Sequence, residues 1–216
     1  QTGSVLRLNR IETRHFGRSG EKTTHQDTQD LRRLVRAIRL PELSGLVDYI
    51  EGSEVKERLS VQLGFSPMIL DENGGYLQTH PLIDRVSAAR VPALAAPGTI
   101  KLTAKASTSH PSAPDFIYLF AVAPFGAADL MSDINKVAEL AQDSANQTGD
   151  MHVTGGISWS ARRLKALEAE SLALVFDTPL AKTHDIIFSA LSIDGANSYG
   201  WCRWTSLGII STDEAR

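Results

Sequence analysis

Cysteine, aromatic residues and long apolar runs are all scarce in this chain. Its one cysteine, Cys202, excludes an intramolecular disulfide framework and any cysteine-rich zinc site. The lack of disulfides fits a reducing compartment. The longest apolar stretch, Phe116 to Phe125, has the length of a strand and falls far short of the roughly 20 residues that cross a bilayer as a helix. No basic stretch followed by an apolar one marks a secretory leader. The chain opens on Gln1 rather than methionine, which fits a processed or trimmed product.

Motifs that announce chemistry are missing as well. The six histidines, His15, His25, His80, His110, His152 and His184, never recur at ligand spacing, and no H-E-x-x-H is present. Asp71-Glu72-Asn73-Gly74 lacks the Asp-x-Asp opening and closing glutamate of a calcium loop, so it reads as a hairpin turn. Neither glycine-rich phosphate motif occurs. Gly156-Ile157-Ser158 begins like a nucleophile elbow, but Ser160 stands where the second glycine belongs, which leaves Ser158 as a strand serine. Cys202 paired with His184 would make a thiolate couple. Trp201 and Trp204 flank that cysteine, and the segment reads as core strand with an inert buried thiol. No cofactor and no metal follow from these patterns.

What the chain does have is an uneven charge distribution. Residues 1–39 hold nine basic side chains against four acidic ones, a net of +5, so the other 177 residues hold −8 of the overall −3. A basic first fifth on an acidic body points to an anionic partner, with a solvated charged tail as the plain alternative. Residues 1–27 carry Arg7, Arg10, Arg14, Arg18 and Lys22 without sustained periodicity and read as an extended arm. Arginines three to four apart on such a chain follow a polyanion and release its counterions. Leu31, Leu34, Val35 and Ile38 recur at i, i+3, i+4, i+7 and predict a helix over 29–39. Arg32, Arg33, Arg36 and Arg39 fall largely off its apolar stripe. Arg7, Arg10, Arg14, Arg18, Lys22, Arg32, Arg33 and Arg36 are therefore the candidate nucleic-acid contacts. Pro41 predicts a second helix over 42–50.

Beyond this the pattern turns to strands. Leu59, Val61, Leu63 and Phe65 alternate with polar residues or glycine, as a half-buried strand does. Residues 81–98, with three prolines and many alanines, predict a long loop. Residues 100–106 alternate, and 115–123 are almost wholly apolar, as a central strand buried on both faces would be. A helix is predicted over 127–145, with Leu130, Ile134, Val137, Leu140 and Ala141 on one face. Strands follow at 153–160, 172–176, 185–193 and 200–210, with a short helix or turn at 161–169. Seven or eight strands with two or three helices predict a mainly β protein, a two-sheet sandwich of jelly-roll type with an N-terminal arm and helices. The expected division is a basic arm and helical segment over 1–57 and a β-sandwich body over 58–216.

The stretch from Asp115 to Asp194, about 80 of 216 residues, resembles the coat proteins of small plus-strand RNA viruses, the bromovirus and cucumovirus group. The strand Phe116-Ile117-Tyr118-Leu119-Phe120-Ala121-Val122 runs into Pro124. A helix with Ala128-Asp129-Leu130 near its start, another strand and the segment Leu164-Lys165-Ala166-Leu167 follow. The pair Leu172–Phe176 and Asp185–Leu191 closes the match. The resemblance implies a capsid subunit without catalysis, found in the virion and assembled in the host cytoplasm. It would associate with many copies of itself and package RNA through its arm. The related 30K-type viral movement proteins, which bind single-stranded nucleic acid, are similar at this level. An enzyme built from dispersed residues is the third reading.

Overall fold

The computed structural model describes residues 33–59 and 68–212. Among these residues thirteen strands form two antiparallel sheets. In chain order they are β1 (Arg33–Ile38), β2 (Val47–Glu51), β3 (Glu54–Leu59), β4 (Met68–Asp71), β5 (Tyr76–Thr79), β6 (Ser87–Ala95), β7 (Thr99–Thr108) and β8 (Phe116–Pro124). The single α-helix among the described residues, α1 (Leu130–Ala141), comes next. It is followed by β9 (Thr148–Thr154), β10 (Ile157–Leu164), β11 (Ala169–Val175), β12 (His184–Ser192) and β13 (Cys202–Thr212). The first sheet runs β11-β7-β13-β5-β4, with β1 also paired to β13. The second runs β3-β2-β6-β12-β8-β10-β9.

Alternation along the strands builds the core. Leu102, Ala104 and Ala106 of β7 and Cys202, Trp204, Leu207 and Ile209 of β13 turn inward. They meet Phe116, Tyr118, Phe120 and Val122 of β8 and Ile186 and Phe188 of β12. Trp204 is the hub, with ring centroids 5.2 Å from Phe188 and 5.4 Å from Tyr118. Its indole N–H donates to Thr79 Oγ1 at 3.1 Å, which satisfies the one polar atom it buries.

Every residue of β8 but its last is buried, because both of its faces are covered. The inner face meets the first sheet. The outer residues Ile117, Leu119, Ala121 and Ala123 form a second core with Trp159, Ile187 and the α1 residues Leu130, Ile134, Val137, Ala138 and Ala141. The helix therefore uses its apolar stripe against the second sheet. Beside it the same sheet face turns polar. Asp48 accepts from Arg58 Nε at 3.0 Å and from Arg90 Nη2 at 2.7 Å. Asp185, 4.0 Å from Arg90, accepts from the Ala93 amide at 2.9 Å. Burial holds the Asp185 carboxyl above the usual range.

Several expectations are corrected. The residues expected to end the first helix form β1, which pairs with β13 from Arg33 opposite Thr212 to Ile38 opposite Leu207. In place of a helix over 42–50 there is a 3-10 turn, Leu40–Leu43, with Pro41 in its first turn, and then β2. The supposed loop over 81–98 contains the nine-residue β6, paired on both sides. Residues 161–164 extend β10, and only 165–168 turn. The expected boundary at 57/58 falls inside β3, which pairs with β2, while β1 and β2 pair with β13 and β6. The arm over 1–27 and the strand residues 60–65 lie outside the described residues. Among the described residues no helix is long and apolar enough to cross a membrane.

Candidate functional site

Three connections between the sheets meet at one end of the sandwich: 80–86 after β5, 109–115 after β7 and 193–201 after β12. The third begins with Asp194 and Gly195, both at positive φ (53° and 72°). The Ala196 amide donates to the Ile193 carbonyl at 3.0 Å. That is the two-residue turn geometry for which Asp-Gly is suited. The chain then rises over the other two connections. His80 Nδ1 donates to the Gly200 carbonyl at 2.9 Å, and the Ser109 hydroxyl donates to the Trp201 carbonyl at 3.3 Å. Gly200 is wedged so tightly that a Cβ there would lie 2.8 Å from Pro81 Cδ and 2.9 Å from the Asn197 carbonyl.

This packing assembles three rings. His110 and Tyr199 stack, with centroids 4.1 Å apart and planes 4° from parallel. Trp201 stands edge-on to both, 5.1 Å and 84° from His110 and 6.4 Å and 83° from Tyr199. The Ser112 amide donates to His110 Nδ1 at 3.1 Å, which leaves the ring proton on Nε2. Tyr199 is 49% and Trp201 36% exposed, so the rings form an open, right-angled corner. Tyr199 also sits at φ 56°, a region that bulky side chains rarely occupy and that marks strain held by its surroundings.

The corner continues onto the outer face of the first sheet. Cys202 and Trp204 point inward, so Trp201 and Arg203 point outward. The Arg203 guanidinium lies 4.2 Å over the Tyr76 ring, and its Nε is buried without a hydrogen-bond partner. The Tyr76 hydroxyl bonds in turn to Asp71, whose carboxyl also accepts from the Gly74 amide at 2.8 Å, and these bonds hold it below its ordinary range.

The sequence-derived candidates fall elsewhere. Arg7, Arg10, Arg14, Arg18, Lys22 and Arg32 lie outside the described residues. Arg33 opens β1. Arg36 is exposed on the same strand and is not gathered into the corner. His184 is buried, bonded through Nδ1 to the Lys182 carbonyl at 2.8 Å, and Cys202 is fully buried. Among the described residues no three His, Cys, Asp or Glu side chains group to hold a metal. The corner itself escaped the sequence reading because His110 and Tyr199 belong to distant segments. The available signal was Trp201, which directly follows a glycine and sits out of phase with the inward-facing Cys202 and Trp204.

A family model described as a family of unknown function, DUF6212, matches residues 19–190. The chain belongs to that family. The match takes in β1 through most of β12 and includes His110, while Tyr199 and Trp201 lie beyond its end. No curated protein matches the chain.

Proposed function

We propose that this protein is a saccharide-binding module that grips a sugar ring in the corner of His110, Tyr199 and Trp201 and performs no catalysis. The right angle between Trp201 and the stacked pair carries the reading. A pyranose has an apolar C–H face and a rim of hydroxyls. One ring plane serves as floor and the other as wall, while the hydroxyls of Ser109 and Ser112 stand within the same loop. A nucleobase would enter a parallel slot, but His110 and Tyr199 already fill theirs at 4.1 Å. The charge of −8 over residues 40–216 also opposes a dense polyphosphate on the body.

The sandwich further reads as a jelly roll. Its eight principal strands, β5 to β8 and β10 to β13, pass back and forth between the sheets. Taken in chain order, the first sheet holds the sixth, third, eighth and first of them, and the second sheet the second, seventh, fourth and fifth. This nesting supports the double Greek key of that fold, which serves lectin domains and viral shells alike. The strand order is also what favours the second reading, a viral shell subunit packaging RNA through its arm. Light scattering with and without RNA separates the two, since a shell subunit gives discrete many-subunit particles.

The test of the first reading is migration in native gels cast with soluble polysaccharides. The wild-type protein is retarded by at least one of them, and Trp201→Ala abolishes the retardation. Migration indifferent to every polysaccharide overturns the reading.

A further inference from the structure

We infer that the ligand is an acidic polysaccharide bearing scattered carboxylates, which runs from the aromatic corner down the outer face of β13 and β7 and meets Arg203, Lys105 and Lys101 in turn. This rests on the saccharide reading of the corner. The motivating observation is a line of three cations on one face of an acidic body. Leu102, Ala104 and Ala106 of β7 are buried, so Lys101, Thr103 and Lys105 face outward. The register sets Ser107 opposite Arg203, Lys105 opposite Ser206 and Lys101 opposite Ile210. Arg203, Lys105 and Lys101 therefore share one face and one ladder. At about 3.3 Å per residue, Lys105 lies about 7 Å and Lys101 about 20 Å along the strand from Arg203.

Among the described residues none of the three is within ion-pair distance of a carboxylate. Asp71, which Arg203 influences only through its charge, is bonded to Gly74 and Tyr76. No described element packs over this face, whereas α1 covers the outer face of the second sheet. Lys105 is exposed, as is Val175 of β11, which lies opposite Lys101.

The shape suits an extended chain. Gly208 lies opposite Thr103, and a Cβ there would come 2.5 Å from Thr103 Oγ1, so the ladder is low at its middle. Arg203, held flat on Tyr76 with its Nε buried, fixes one positive charge at the corner end of the ladder. Three widely spaced cations match a polymer with occasional charge. The net −8 beyond residue 39 disfavours one with a phosphate at every unit.

The experiment measures affinities of the full chain for polygalacturonate, for a neutral glucan and for polyuridylate. It uses wild type, Lys101→Gln/Lys105→Gln and Trp201→Ala. Both lysines project from the surface, so their double variant keeps the fold whatever befalls an Arg203 variant. The expected result is polygalacturonate bound at least tenfold tighter than the glucan. The double lysine variant then loses that preference, and added salt weakens binding. Equal affinity for the charged and neutral polymers, or an affinity for polygalacturonate unmoved by the lysine changes, overturns the inference and leaves the corner reading standing. Tighter binding of polyuridylate overturns it too. Failure of every saccharide to bind overturns both.

Discussion

The imidazole of His110 stacks on the phenol ring of Tyr199, 4.1 Å away and with the two planes 4° from parallel, although 88 residues separate them in the chain. The stack sustains a left-handed backbone at Tyr199. An aromatic pair contributes about 0.5–1.5 kcal/mol beyond its burial, and a non-glycine residue in that region costs about 1–2 kcal/mol, so the two nearly offset. Tyr199→Ala loses the stack and keeps the strain. Tyr199→Gly loses both. Urea denaturation should find the glycine variant more stable than the alanine variant by about 1 kcal/mol, with saccharide binding lost in both. Equal or reversed stabilities would contradict the strain argument.

Gly200 is the point where the β12–β13 connection presses on the β5–β6 connection. Gly200→Ala forces a methyl to 2.8 Å from Pro81 Cδ. Overpacking of this kind costs about 1–3 kcal/mol and lifts the Tyr199–Trp201 segment off His80. Thermal unfolding should show a lower Tm, and saccharide affinity should fall though no ring has been changed. Wild-type affinity in this variant would mean the corner is not held by that contact.

Asp185 gives a pH dependence with a definite sign. Its folded carboxyl titrates above the ordinary 3.8, chiefly through burial, so the native state binds the proton more tightly than the unfolded chain. Its contribution to stability is fully present below about 3.8 and is lost as pH rises through the folded value. Asp185→Asn keeps an acceptor for the Ala93 amide and removes the buried charge. The variant should match or exceed wild-type stability at pH 7, and wild type should gain on it as pH falls toward 4. Urea midpoints across pH 4 to 8 decide this, and a wild-type advantage that grows with pH would contradict it.

Cys202 should be chemically silent. Burial pushes its thiol up to about 12, so at pH 8 little thiolate forms and no reagent reaches it. A disulfide reagent should react with one thiol per chain in denaturant and with almost none in buffer. Rapid reaction of the native protein would contradict the inward orientation of Cys202.

The sequence foretold the buried strand at Phe116, the turn at Asp71-Gly74 and most of the α1 stripe, where Leu140 is exposed and Ala138 is buried instead, because each is a local pattern with one physical solution. It misled at Leu34, Val35 and Ile38, whose spacing fits a helix. There, pairing with β13 overrides the period, and Leu34 and Val35 stay exposed. It also misled at residues 81–98. Pro92 argues against a strand, yet β6 accommodates it where the pairing with β12 shifts register and Ala93 turns to φ 55°, a bulge of the kind that tolerates proline. The aromatic corner was illegible for another reason. It exists only where three connections meet, and no spacing in the chain encodes which loops share an end of the sandwich.

The most direct measurement uses the tryptophans themselves. Trp159 and Trp204 are buried, and Trp201 is exposed, so a soluble quencher reaches mainly Trp201. Saturating saccharide should protect that fluorescence and leave only the slow quenching of the buried pair. The Trp201→Phe variant should begin at that protected level. Quenching of Trp201 unchanged at saccharide saturation, or no saturable binding at all, would contradict the saccharide corner.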